Sequence, residues 1–145
     1  MGENLGGHTP EHRDILLVED HAATAEMISL FLEDEGYHIR WVDTAHGAIE
    51  YFSQLPTDNH DMCPDLVLMD LSLPDMDSVQ MVEQVVRAHK SMPPVVLVSA
   101  KPAYLVQQAA QLIGATGTVR KPFEIDVLLD AVRHAIEPPT ETITR

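Results

Sequence analysis

At 66–78 the chain reads LVLMDLSLPDMDS, a run of four apolar residues that stops at Asp70 and gives way to a polar turn carrying Pro74. Four apolar residues in succession, with no polar alternate, predict a strand covered on both faces, as in a parallel sheet. ILLV at 15–18 and VVLV at 95–98 repeat the pattern, IRWV at 39–42 is a mixed version, and GTV at 117–119 is a weaker fifth. The segments between them have a helical period instead. Met27, Ile28, Phe31 and Leu32 lead to Gly36, and Ala45, Ala48, Ile49, Phe52 and Leu55 lead to Pro56. Val79, Val82, Val85 and Val86 form a third stripe. Leu105, Val106, Ala109, Ala110 and Ile113 form a fourth that ends at Gly114, and Val127, Leu128, Ala131, Val132, Ala135 and Ile136 form a fifth. Each stripe is expected to face the sheet, with glycine ending a helix where a left-handed residue is needed. Five alternations of strand and helix, joined by connections too long for hairpins, imply right-handed crossovers. The expected fold is therefore a doubly wound α/β domain with helices on both sides of a parallel sheet.

The composition agrees with one compact domain. Of 145 residues, 45% are apolar and 22% charged, which excludes disordered, collagen-like and mucin-like chains. Nine Lys and Arg against 23 Asp and Glu leave a net charge of −14, the wrong sign for gripping a phosphate backbone. Direct nucleic-acid binding is not expected; cationic partners, divalent metals among them, are favoured. Cys63 is the single cysteine, so no internal disulfide forms and a reducing cytoplasm is the expected compartment. The opening MGENLGGHTPEHRD has no apolar signal region. The uncharged stretch at 102–119 is broken by Gln107, Gln108, Gln111 and Gly114, so no membrane span is expected. Residues 1–13 read as a flexible N-terminal segment, 14–137 as the domain, and PPTETITR at 138–145 as a flexible tail or the start of a linker.

In a doubly wound sheet, ligands bind outside the carboxyl ends of the strands. There the chain places Glu19 and Asp20 after the first run, Asp70 at the end of the third, Ser99 at the end of the fourth and Lys121 after the fifth. Three carboxylates on one rim repel one another. A hard divalent cation such as magnesium relieves that repulsion while leaving room for a phosphate oxygen. A lysine beside them can pair with a carboxylate, and a serine hydroxyl can donate to an oxyanion. Taken singly, Asp20 and Ser99 fit helix caps, Asp70 a turn and Lys121 a solvated surface; their joint order is what carries information. VEDHAAT after the first strand has no glycine, which argues against dinucleotide, flavin and P-loop sites. The histidines have no metal-binding spacing, His60 and Cys63 read as an exposed loop pair, and Met62, Met69, Met76 and Met81 read as packing.

In DILLVED, DLVLMDLSLPDMDS, PPVVLVSA and IGATGTVRKPF, and in their spacing over about 14–136, the chain resembles the receiver domain of two-component response regulators. The resemblance implies a flavodoxin-like receiver fold with five strands in the order 2-1-3-4-5 and five helices. It implies that Asp70 is the phosphoacceptor, that Glu19 and Asp20 are the acidic metal pair, and that Ser72 offers its backbone carbonyl to magnesium or manganese. Ser99 would be the hydroxyl that follows the phosphoryl group, and Lys121 its ammonium partner, with a cis Lys121–Pro122 bond. Phosphate would come from a histidine kinase or histidine phosphotransfer protein. The output would be a downstream protein partner or effector domain, or a phosphorylation-linked homodimer, with no membrane or direct nucleic-acid contact. Such a domain is not an enzyme beyond its own phosphoryl transfer and autodephosphorylation.

The chain departs from the family pattern at three places. Ser78, and often Asp75, stand where the family has glycine, so the turn after Asp70 is expected to be tighter or shifted. Thr118 replaces an aromatic switch residue. Tyr104, Gln107, Gln108 and Gln111 are expected to form a neutral outward patch on the fourth helix. Two other readings remain: a magnesium-dependent phosphatase with an aspartyl-phosphate intermediate, in which Ser72 would stand where a second acid is needed, and a phosphorylation-independent pseudo-receiver. The polar loop at 56–64 has no assigned role.

Overall fold

The computed structural model describes residues 13–56, 63–89 and 91–137. Its elements alternate throughout: β1 (Asp14–Val18), α1 (Ala22–Asp34), β2 (His38–Val42), α2 (Ala45–Ser53), β3 (Leu66–Asp70), α3 (Ser78–His89), β4 (Val95–Ser99), α4 (Ala103–Ile113), β5 (Gly117–Arg120) and α5 (Ile125–Ile136). All strand pairs are parallel, in the order β2-β1-β3-β4-β5. The register sets Ile15 beside both Ile39 and Leu66, and Asp70 beside Val98.

Side chains alternate across a strand, so one apolar run supplies two cores. Ile15, Leu17, Leu66, Leu68, Val96 and Val98 point to the face covered by α1 and α5, where Ala25, Ile28, Leu32, Leu128 and Val132 meet them. Leu16, Val18, Val67, Met69, Val95 and Leu97 point the other way, onto Ala45, Ala48 and Phe52 of α2 and Met81, Val82 and Val85 of α3. β3 and β4 are buried along their whole length, which is why their sequences carry no polar alternate. β2 is an edge strand with mixed exposure, matching its mixed composition.

The helical stripes are narrower than the apolar content suggests. In α1 the inward residues are Ala25, Ile28 and Leu32, while Met27 and Phe31 are 40% and 43% exposed. Neighbouring helix positions lie about 100° apart, so of two adjacent apolar residues in α1 one lies at the centre of the buried stripe and the other at or beyond its margin, whereas on α3 both Met81 and Val82 fall within it. Val86 of α3 and Val127 of α5 are exposed for the same reason, and Met81 and His89 take inward places on α3. Gly114 ends α4 at φ 76°, the left-handed conformation that its position after the fourth stripe leads one to expect.

Arg13, at the edge of the N-terminal segment, is anchored. Its Nη1 donates to the Glu35 carbonyl at 3.0 Å and its guanidinium lies 4.7 Å from the Tyr37 ring centroid. The rest of that segment, the tail at 138–145, and His60 and Met62 of the 56–64 loop lie outside the described residues. Among the described residues no helix is long and apolar enough to cross a membrane.

Phe52 is among the largest fully buried side chains and packs between Tyr51 and His89. Phe52→Ala is expected to lower the unfolding free energy by about 3–5 kcal/mol, read from urea unfolding curves. A loss below about 1 kcal/mol would show that the α2 face closes over the vacancy.

Candidate functional site

Strand order reverses between β1 and β3: β2 is added on one side of β1, and β3, β4 and β5 on the other. Their outgoing loops therefore diverge and leave a crevice at the carboxyl edge. Into it come Glu19 and Asp20 from β1, Asp70 from β3 and Lys121 from the turn after β5. Glu19 is 1% exposed and Asp70 5%. Two carboxylates this deeply buried need a compensating charge, and Lys121 supplies it. Its Nζ donates to Glu19 Oε1 at 3.0 Å and to Asp70 Oδ2 at 3.1 Å, bridging both rather than pairing with one. The other oxygen of each carboxylate takes a backbone donor: His21 N–H to Glu19 Oε2 at 3.2 Å, and Ser72 N–H to Asp70 Oδ1 at 2.9 Å. Burial works to lower the Lys121 pKa, but the hydrogen bonds and charges of Glu19 and Asp70 outweigh it and raise the pKa above the usual lysine value. The lysine backbone is fixed by its own N–H, which donates to the Ser99 carbonyl at 2.9 Å, and Lys121–Pro122 is cis.

A cavity of about 420 Å³ opens in front of this bridge, lined by Asp20, His21, Thr24, Asp70, Ser72, Ala100 and Lys121. Asp20 and Asp70 bring carboxylate oxygens to this cavity, hard donors suited to magnesium or manganese, and Ser72 lines it beside them. Ligand atoms of Glu19, Asp20 and His21 also lie within 4.8 Å of one another. The structure thus places the His21 ring beside the acidic pair, a neighbour that His-to-His spacing does not mark because its companions are carboxylates. Asp20 does not cap α1; the cap position is His21, with no side-chain bond.

Ser99 is fully buried and is not among the residues that line the cavity, although its neighbour Ala100 is. Its Oγ accepts from the Lys101 N–H at 3.0 Å, so it holds the turn and does not cap α4, whose cap position is Pro102. That acceptor role leaves the hydroxyl proton available. Thr118 sits in β5 beside Leu97 and does not line the cavity. Tyr104, Gln107, Gln108 and Gln111 all face outward on α4, joined by the 69% exposed Leu112, so the patch is not purely polar.

The turn after Asp70 is pinned at the two places where glycine is missing. Ser78 is buried and its Oγ donates to the carbonyls of Asp70 at 2.9 Å and Leu71 at 3.2 Å. Asp75 accepts from the N–H groups of Ala45 and His46, both at 2.9 Å, and pairs with His46 Nδ1. Burial opposes charge on Asp75, yet these bonds prevail and hold its carboxyl at about 2. Trp41, the single tryptophan, donates from Nε1 to the Glu19 carbonyl at 2.7 Å and so ties β2 to the carboxylate pair. None of these three contacts is encoded by spacing along the chain.

A family model described as the response regulator receiver domain matches residues 15–133. The DNA-binding response regulator MtrA of Mycolicibacterium paratuberculosis is 36% identical over 119 residues, covering 82% of this chain and 49% of MtrA. The signal transduction histidine-protein kinase BarA of Escherichia coli is 32% identical over 113 residues, covering 76% of this chain and 11% of BarA. The chain spans about half or less of the length of these relatives. Among solved structures, the receiver domain of sensor histidine kinase PA1611 from Pseudomonas aeruginosa, with a magnesium ion coordinated in its active-site cleft, superposes with a TM-score of 0.71 at 21% identity. The match covers 86% of this chain and 98% of that one.

Removing the lysine leaves two buried carboxylates facing each other. Lys121→Ala is expected to cost about 3 kcal/mol of stability in the presence of EDTA, with part of the loss recovered on adding magnesium. Urea unfolding under both conditions is the measurement. Equal stability of variant and wild type in EDTA would show that the bridge contributes nothing.

Proposed function

This chain belongs to the response regulator receiver domain family, and we propose that in it Asp70 accepts a phosphoryl group from a histidine kinase or histidine phosphotransfer protein. The observation that carries the reading is the Asp70 carboxylate, buried at the strand-order reversal, held by Lys121 and open to a cavity lined by further oxygen donors. Asp20, Asp70 and the Ser72 carbonyl would hold magnesium or manganese, with Glu19 behind them. When bound, the cation neutralises the carboxylates and charge on the transferring oxygens.

An Asp70 oxygen attacks phosphorus in line, the bond from phosphorus to the donor nitrogen breaks, and an acyl phosphate results. Lys121 Nζ already lies between Glu19 and Asp70, so the new phosphoryl oxygens arrive within its reach. The Ser99 hydroxyl, whose proton is free, turns toward the phosphoryl group and draws the β4–α4 connection with it. Water later hydrolyses the acyl phosphate. The domain thus catalyses only its own phosphoryl transfer and autodephosphorylation, in the cytoplasm, and passes the signal to a protein partner or effector domain. Thr118 cannot act as an aromatic switch, so the change rests on Ser99 and Lys121.

Asp70→Asn is expected to abolish magnesium-dependent labelling by acetyl phosphate, followed by intact-mass measurement. A phosphorylated peak undiminished in that variant would remove Asp70 from the role.

The output face is assigned to α4, where Tyr104 and Leu112 offer apolar contact and Gln107, Gln108 and Gln111 are uncharged in a chain carrying −14. Gln108→Glu with Gln111→Glu is expected to weaken phosphorylation-linked self-association or partner binding while sparing Asp70 labelling. Sedimentation and partner titration of the phosphorylated form are the checks, and unchanged behaviour in both would leave the patch without a role.

A further inference from the structure

The loop at 71–77 carries Ser72 between Asp70 and α3, and its middle is tied to a different part of the fold. One end is held locally: the Ser72 N–H donates to Asp70 Oδ1, and Ser78 Oγ donates to the Asp70 and Leu71 carbonyls. At the far end Asp77 Oδ1 accepts from the Val79 N–H at 2.7 Å, a bond internal to the start of α3. Asp75 alone in this loop reaches across some thirty residues, to the first turn of α2.

That helix start is a firm platform. Ala45 and Ala48 are fully buried against the sheet, and Thr44 Oγ1 accepts from the Gly47 N–H at 2.9 Å. The N–H groups of Ala45 and His46 have no partner within the helix, and the positive end of the helix dipole favours an anion there. Asp75 satisfies both donors with its two oxygens, and His46 closes on it from the side. Pro74, immediately before, fixes its own φ and restricts Leu73, which narrows the conformations open to the segment between Asp75 and Ser72.

We propose that Asp75 is a positioning residue for the cation site: by gripping α2 it sets where the Ser72 carbonyl stands, and so sets cation affinity without touching the cation. The proposal rests on the assignment of Ser72 and Asp70 as cation ligands. With the clasp removed, the contacts of Ser72, Ser78 and Asp77 remain, and the part of the ordering that Asp75 supplied would fall to cation binding. Groups that hydrogen-bond a metal ligand directly are worth about tenfold or more in metal affinity, and Asp75, which acts through the loop backbone, is set at the low end of that range.

The experiment is calorimetric titration of the full chain with magnesium, paired with acetyl phosphate labelling rates across magnesium concentrations. Asp75→Ala is expected to raise the magnesium Kd about tenfold, with labelling slowed at low magnesium and restored at saturation. Asp75→Asn, which keeps one carbonyl acceptor, should fall between Asp75→Ala and wild type, and urea unfolding of each variant confirms the folded state. If Asp75→Ala does not fold, Asp75→Asn carries the comparison alone. A wild-type Kd in the folded variant overturns the positioning role, as does a labelling defect that saturating magnesium does not correct. If wild-type protein neither binds magnesium nor is labelled, the receiver assignment fails and this role with it.

Discussion

Two carboxylates that the sheet forces into one buried place, and the lysine between them, are what the site is organised around. Glu19 and Asp70 end adjacent parallel strands, and their depth removes the water that would otherwise screen them. A buried carboxylate without a partner is costly, so a cation must reach both. Lys121 does so from the far side of the sheet, because β5 delivers it past β4 and its backbone is anchored to the Ser99 carbonyl. The residual negative charge of that cluster, with Asp20 at the rim, is what makes an incoming divalent cation favourable.

The same geometry links the site to the rest of the domain through short polar contacts. Ser78 joins the start of α3 to the Asp70 backbone, Trp41 joins the edge strand to the Glu19 backbone, and Ser99 holds the turn that leads to α4. Each element that flanks the crevice thus has at least one hydrogen bond to a residue of the site or its neighbour. In the function proposed above, a new charge on Asp70 would compete for the same donors, chiefly Lys121 and the Ser72 N–H, and would be felt in several elements at once. The wholly buried β3 and β4 form the close-packed, stiff part of the sheet on which these contacts are mounted.

The side chains standing where the family has glycine show how a local departure is absorbed. A serine at 78 brings a hydroxyl into a buried turn, where an unsatisfied group would be destabilising; two backbone carbonyls accept from it. An aspartate at 75 brings a charge, which the unpaired N–H groups at the start of α2 accommodate. These side chains fasten the turn to the Asp70 and Leu71 backbone and to the start of α2.

The fold class, the number and order of elements, and the convergence of Glu19, Asp20, Asp70 and Lys121 were legible in the chain, because strand burial and helical period leave a direct trace in apolar spacing. Which of two adjacent apolar residues faces the sheet was not: Met27, Phe31, Val86 and Val127 are as apolar as their buried neighbours, and the choice depends on how each helix is rolled against the strands. Nor were the bridging of two carboxylates by Lys121, the clasp between Asp75 and His46, or the Trp41 bond to Glu19. Those pairs join residues 22 to 102 positions apart. Hydrophobic pattern is a local property of the chain, whereas a hydrogen bond between distant side chains is decided only once the packed sheet and helices have set the separation and angle between them.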